Sequence, residues 1–334
     1  MKRFVFVVGN SRSGTTMMAH MLGGHPHVFT FNELHFFEQL WTPEDEARRP
    51  SKTEAERLAA RLLCIQRDGY LNQKDPGRFS GEARELVTAT RAELPTSPEV
   101  FELFLHYETT KNGKAIPCDH TPRNVFYIDE ILGLYPEARI INIVRDPRDV
   151  LLSQKRKWRR RLQDKNIPVR EAFRSWVNYH PITISKLWVA SVRAAERFAG
   201  NVRVHSVRFE DLLADPEGVT HKICEFIDIT PDTGVLEVPQ VGSSSEPDRP
   251  EQRGVNRERA GSWRKGGLNP TEVFLCQKIA GGLMKRHGYE LVSTHRNLLR
   301  LSYSVVSFPV KLALAFLLNL RRMRRVVETI GRRL

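Results

Sequence analysis

Apolar residues follow one another without alternation in "RFVFVV" (Arg3–Val8) and again in "ARIINIV" (Ala138–Val144). Such runs predict strands buried on both faces of a parallel sheet. "NVRVHSV" (Asn201–Val207) reads as a weaker third strand. Between these runs the spacing turns helical, in "TTMMAHML", "TEAERLAARLLCIQ", "SPEVFELFLHYE" and "PRDVLLSQKRKW", and then from about Val169 to Phe198. Strands alternating with helices predict an α/β fold, with a central parallel sheet flanked by helices. Residues 42–118 are mostly helical and polar, which predicts an insertion over the sheet. Residues 230–258 are rich in Pro, Gly, Ser and charge and predict a long, mobile surface loop. The spacing shows no internal repeats.

The tail from Asn297 differs from the body. A stretch of roughly 20 apolar residues is interrupted by Pro309 and Lys311 and followed by six arginines. A lysine near mid-bilayer weighs against a spanning helix. The tail therefore predicts a basic amphipathic helix lying in a membrane interface, or a helix docked on the body or on a second subunit of a homodimer. The expected division is a domain over 1–295 and a tail over 296–334.

Composition adds little beyond an ordinary soluble protein: 334 residues, 40% hydrophobic and 27% charged. Cys64, Cys118, Cys224 and Cys276 form no CxxC pair, so a reducing cytoplasm is expected, with the tail allowing attachment to a membrane face. The N-terminal run is too short for a signal peptide or anchor. Charge is more informative. Of the net +13, the residues from Arg296 onward carry +8 and the body +5. That distribution argues against a nucleic-acid footprint spread over the whole chain.

The candidate chemistry begins with "GNSRSGTT" (Gly9–Thr16), directly behind the first strand. Gly9 and Gly14 permit a tight turn and close approach of an anion, and the N–H groups of Asn10, Ser11, Arg12 and Ser13 can point inward. Thr15 and Thr16 open the following helix, whose unpaired N–H groups favour a phosphate. A nucleotide-hydrolysing loop would carry Lys where Thr15 stands, and here the cation is Arg12. A Gly/Ser-rich connector is the plainer alternative. A second cation-bearing turn, "RDPRDVLLS", closes the second strand; Arg145 at the strand end and Ser153 two turns into the helix are placed to grip one phosphate. A surface Arg–Asp network is the plainer reading of that segment alone. Two such turns at the ends of two parallel strands point to a nucleotide crevice.

"VVGNSRSGTT" resembles the 5′-phosphosulfate loop of sulfotransferases that use 3′-phosphoadenosine 5′-phosphosulfate (PAPS), and "RDPRDVLLS" resembles their 3′-phosphate element. "NELHFFEQLW" is similar to the segment carrying the acceptor-activating glutamate of heparan-type members. "DHTPRNVFY", "SVRFEDLLADPEG" and "RAGSWRKGGL" are similar to later segments in the expected order. Together they cover most of residues 3–290. The resemblance implies the three-layer P-loop-like sulfotransferase fold, PAPS as donor, no required metal and an acceptor hydroxyl or amine on a carbohydrate, glycolipid or other small molecule. It implies that Arg12 stabilises charge on the transferred group, that Gly9–Thr16 hold the 5′-phosphate, and that Arg145 and Ser153 read the 3′-phosphate.

Glu33 would then be the general base, with His35 as the alternate; a helix-opening acid is the plainer reading of Glu33. The late loop departs from the family. Where many members carry an Arg-Lys-Gly triplet, "NRERAGSW" puts Glu258 at the glycine, leaving Arg257, Arg259 and Gly261 as candidate phosphate ligands and Trp263 either over the site or in the core. "KRKWRRR" (Lys155–Arg161) reads as a solvated face or as a grip on an anionic acceptor. The cluster His20, His25 and His27 lacks the acidic or thiolate partners of a metal site. A P-loop kinase or NTPase, and a non-catalytic membrane- or nucleic-acid-associated protein on the same fold, are the competing functions.

Overall fold

The computed structural model describes residues 3–46, 48–88, 94–164, 167–240, 249–295, 297–320 and 331. In chain order its strands and α-helices are β1 (Phe4–Gly9), α1 (Thr15–Gly24), β2 (Val28–Thr30), α2 (Lys52–Asp68), α3 (Ser80–Thr88), α4 (Ser97–Lys111) and β3 (Ile116–Asp119). Then come α5 (Ile128–Leu134), β4 (Ala138–Val144), α6 (Pro147–Gln163), α7 (Val169–Asn178), α8 (Pro181–Glu196) and β5 (Val204–Arg208). The chain continues through α9 (Phe209–Ala214), α10 (Pro216–Phe226), β6 (Pro239–Gln240), β7 (Arg249–Arg253), α11 (Pro270–Arg286) and α12 (Leu298–Asn319).

Five strands form one parallel sheet in the order β2-β3-β1-β4-β5. Burial on both faces explains the unbroken apolar runs of β1 and β4. Phe4, Phe6 and Val8 of β1 pack with α2, α4 and α5 on one face, whereas Val5 and Val7 pack with α1, α9 and α10 on the other. The three layers put the C-terminal ends of β1 and β4 side by side. The register carries Gly9 opposite Ile143, so the turns after both strands open into the same crevice. Gly9 is required there: its φ is +147°, and a Cβ would lie 2.4 Å from the Ile143 carbonyl oxygen.

The structure departs from the sequence reading in several places. β2 and β3 are too short for their pattern to stand out, at three and four residues, and β3 carries Pro117. Because β3 begins at Ile116, the end of the predicted 42–118 insertion belongs to the sheet. The third strand starts at Val204, three residues later than read. The helical stretch 169–198 is two helices, broken where Pro181 opens α8 and His180 Nδ1 caps the Ile182 N–H at 3.3 Å. Residues 230–258 are not wholly irregular, since β6 and β7 pair antiparallel; residues 241–248 lie outside the described residues. The expected basic amphipathic helix is, in its described part, an apolar helix with Pro309 inside it. The six arginines at 321, 322, 324, 325, 332 and 333 lie outside the described residues.

The Gly9 contact generates a stability prediction. Gly9→Ala costs about 2–3 kcal/mol. Gly282→Ala, at an exposed position inside α11 with no atom in the way of a Cβ, gains about 0.5–1 kcal/mol. Denaturant midpoints of the two variants should move in opposite directions; a neutral Gly9→Ala contradicts the close approach of β1 to β4.

Candidate active site

The crevice above β1 and β4 is a cleft of about 300 Å³. Its wall includes Ser11, Arg12, Gly14, Thr15 and Thr16 from the loop after β1, Arg145 and Ser153 from the second turn, and Glu33. Gly9, Asn10 and Ser13 shape the loop rather than the wall. The Ser13 N–H donates to the Asn10 carbonyl at 3.0 Å, and Asn10 Nδ2 to the Ser11 carbonyl at 3.1 Å. Gly14, at φ +106°, has the Phe209 ring where a Cβ would stand, 2.3 Å away. It is the N-cap of α1 with no side-chain cap, so the helix presents uncapped N–H groups beside the cleft.

Arg12 has a φ of +77°, unusual for a residue with a Cβ. Its Nε donates to Ser153 Oγ at 3.0 Å, joining the two anion-type turns. Arg145 is held by the chain around it. Its Nη1 donates to the Arg12 carbonyl at 3.3 Å, its Nη2 to the Arg259 carbonyl at 2.8 Å, and its guanidinium sits 4.5 Å over the Phe209 ring. Arg145 Nε is buried without a hydrogen-bond partner among the described residues, as is Ser13 Oγ. Buried donors of this kind suit an incoming anion.

Helix α6 supplies more than the motif predicted. Asp149, Ser153, Lys157, Arg160, Arg161 and Asp164 all line the cleft, at the spacing of one helix face. Three of the six cations of the basic run, Lys157, Arg160 and Arg161, are thus turned into the cleft. Arg156 and Arg159 do not line it, and Lys155 is bonded to Glu272 at 2.7 Å. The spacing from Ser153 carried this signal, which the charge of the run obscured. In all, the wall brings together the cations Arg12, Arg145, Lys157, Arg160, Arg161 and Arg259 with the acids Glu33, Asp149 and Asp164. Burial, together with the charges of Arg161 and Arg12, lowers the Lys157 ammonium to about 7. Burial, with Arg160 and Arg145, lowers Arg12 to about 10.

The late loop is fastened to α6 by Asp149. Its carboxylate accepts the Gly261 N–H and the Trp263 N–H, both at 2.8 Å. This corrects the expectation for Gly261, whose N–H is committed to Asp149 and stands outside the cleft wall. Arg259 lines the cleft, whereas Arg257 is exposed and does not. Glu258, at the departure from the family triplet, pairs with Lys265 at 2.9 Å. Trp263 packs beneath the Arg148 guanidinium, 4.1 Å from its ring, so it supports the loop from outside the cleft.

Glu33 reaches the cleft through a chain of hydrogen bonds anchored on the sheet. Asp119, at the end of β3, accepts from Thr121 Oγ1 at 2.7 Å, and Thr121 Oγ1 accepts the N–H groups of Leu34 at 2.9 Å and His35 at 3.3 Å. Asn124 Nδ2 donates to the second Asp119 oxygen at 2.8 Å. His35, at φ +51°, lies between two carboxylates, with Nε2 3.4 Å from Glu33 and Nδ1 3.5 Å from Glu38. Burial alone lowers an imidazole, but the two carboxylates outweigh it and push His35 up to about 9. For Glu33, burial raises the carboxyl, and the hydrogen bond and charge of His35 more than offset this, holding it down to about 2. Glu33 is therefore an ionised carboxylate and His35 an imidazolium at neutral pH. That removes His35 as an alternate base, because its proton is already on. Sequence reasoning missed Asp119, Thr121 and Glu38, since their contact with Glu33 and His35 depends on how β3 meets the segment after β2.

Among the described residues no group of three His, Cys, Asp or Glu side chains is arranged to hold a metal. A family model described as "Sulfotransferase family" matches residues 5–233. Among solved structures, the chain is similar to the sulfotransferase domain of the Synechococcus PCC 7002 olefin synthase, with 20% identity over 87% of this chain and 96% of that one and a TM-score of 0.51. The sulfotransferase domain from the curacin biosynthetic pathway shows 18% identity over 87% of this chain and 99% of that one, with a TM-score of 0.50. At these identities the structural likeness is one of fold. No curated protein matches the chain.

The clamp on His35 gives a pH signature. An imidazolium raised to about 9 from an ordinary 6.5 stabilises the fold fully below the lower value, and that contribution is lost as pH rises through the higher one. The stability gap between wild type and His35→Gln should narrow by roughly 2 kcal/mol between about pH 6 and about pH 9.5, read from urea midpoints. A gap unchanged over that range contradicts a charged His35.

Proposed function

The chain belongs to the sulfotransferase family, and from that premise we propose that it transfers a sulfuryl group from PAPS to a hydroxyl or amine of an anionic acceptor. The observation that carries the donor assignment is the union of two anion-type turns in one cleft, linked by the Arg12–Ser153 hydrogen bond. The residues fit a nucleotide with phosphate at two positions. Loop N–H groups, Thr15 and Thr16 would hold the 5′-phosphate, and Arg145 and Ser153 the 3′-phosphate, with Arg259 closing over it. PAPS, when bound, supplies a sulfuryl group already attached to a good leaving group.

The work left to the protein is positioning and charge stabilisation. Arg12 lies between the two turns, where its guanidinium can neutralise charge that grows on the leaving oxygen. Glu33 accepts the acceptor's proton. With His35 holding it ionised, Glu33 is always available but weakly basic, which suits a proton released late, once the acceptor oxygen or nitrogen has become acidic. His35 acts as a positioning residue through Glu33.

Lys157, Arg160 and Arg161 are cations on the cleft wall beyond those assigned to the donor. They support an acceptor bearing carboxylate, phosphate or sulfate, and the likeness of the Glu33 segment to heparan-type members supports a carbohydrate or glycolipid.

Transfer of radiolabelled sulfate from PAPS tests these roles. Glu33→Gln should lower kcat about 10²–10³-fold while leaving donor affinity within about twofold. Arg145→Ala should weaken donor binding between about tenfold and 100-fold with a smaller change in kcat. Full turnover by Glu33→Gln would place the base elsewhere.

A further inference from the structure

Helix α12 is inside out. Its contacts with the body run along one face: Phe308 meets the His180 ring at 5.4 Å, Lys311 Nζ donates to the Tyr179 carbonyl at 3.1 Å, and Asn319 Nδ2 donates to Asn178 at 2.9 Å. At about 100° per residue, the opposite face is the stripe Leu299, Tyr303, Val306, Val310, Leu314 and Leu317. These side chains are between 46% (Leu314) and 84% (Leu299) exposed. A water-facing helix on a soluble body buries its apolar stripe and exposes its polar one. Here Lys311 and Asn319 join Phe308 on the side facing the protein, and the six-residue apolar stripe faces outward.

The band does not end at α12. Lys311 lies 4.6 Å over the Trp176 ring, and Trp176 stacks with Phe173 at 6.0 Å. Val169, Phe173 and Trp176 share the outer face of α7, each about half exposed or more. The two helices together make one apolar flank, which spans about 27 Å from Leu299 to Leu317 along α12. An exposed apolar surface of this extent marks a partner surface.

We propose that this flank of α7 and α12 lies in the plane of an anionic lipid bilayer, apolar residues in the acyl boundary. Charge complementarity decides the occupant: the chain continues from α12 into residues 321–334, which hold six arginines and one glutamate, the complement of acidic headgroups. Lys311 also finds its place. It is part-buried, donating to the Tyr179 carbonyl and lying over the Trp176 ring, and with the body against one side α12 lies along the membrane without crossing it. Because α7 begins two residues after Ile167 of the cleft wall, this attachment sets the catalytic cleft beside the bilayer.

Flotation of the full chain with vesicles tests the proposal. Wild type should float with phosphatidylcholine–phosphatidylglycerol vesicles at least about tenfold better than with phosphatidylcholine alone. The combined substitution Tyr303→Ser, Val306→Ser and Val310→Ser should lose that binding about tenfold or more at an unchanged melting temperature. Lipids brominated in the acyl chain should quench tryptophan fluorescence of the wild type, and Trp176→Phe should remove most of the quenching. Should the triple variant fail to fold, the quenching experiment decides alone. Wild type that ignores anionic vesicles, or fluorescence untouched by bromine, overturns the proposal. So does a lipid-free dimer that the triple variant converts to monomer, since the flank would then belong to a second copy.

Discussion

Like charges crowded into one partly buried cleft are the constraint around which this molecule is arranged. Six cations face three acids there, and burial, compounded by the neighbouring cations, lowers Lys157 to about 7 and Arg12 to about 10. Such a cluster costs free energy until an anion enters. The scaffold carries that cost by placing its strand ends with little freedom. Gly9 lets β1 pass against the β4 backbone, Gly14 admits the Phe209 ring, and Asp149 ties the late loop to α6. The cations are therefore set in place before a ligand arrives, and the binding energy of a polyanion need not be spent on gathering them.

The acceptor side follows a separate logic. Glu33 gains its position from the sheet through Asp119 and Thr121, and its charge state from His35. The two halves of the cleft are thus built by different elements: the proposed donor contacts by β1, β4 and the helices after them, and the Glu33 carboxylate by the segment after β2, anchored on the end of β3. Among the described residues no hydrogen bond joins Glu33 to Arg145 or Ser153, and the halves communicate through charge, Glu33 with Arg12 and Lys157.

How much of this could be read in advance depended on whether a feature was local. The buried strands β1 and β4, the glycine loop and the Arg145–Ser153 pair are contiguous segments with their own periodicity, and each folds as its pattern predicts. β2 and β3 are three and four residues long, too short for alternation to be distinguished from a loop. Lys157, Arg160 and Arg161 were legible by helix spacing from Ser153 but resembled a solvated basic run. The His35 clamp and the commitment of Gly261 to Asp149 are contacts between distant segments, and no local pattern encodes them. In α12 the apolar content was plain, yet which face met the body was not. That orientation emerges from Phe308, Lys311 and Asn319 meeting the loop between α7 and α8 and the end of α7.

The central claim is that the joined turns recognise a nucleotide phosphorylated at both the 5′ and 3′ positions, without help from a metal. Thermal unfolding in the presence of adenosine 3′,5′-bisphosphate, with a chelator replacing magnesium, measures this directly. The account predicts a rise in Tm of several degrees at about 100 times Kd, equivalent to about 2.7 kcal/mol, and a much smaller rise with adenosine 5′-phosphate or ATP. Equal stabilisation by ATP with magnesium, or no response to the bisphosphate, would contradict it.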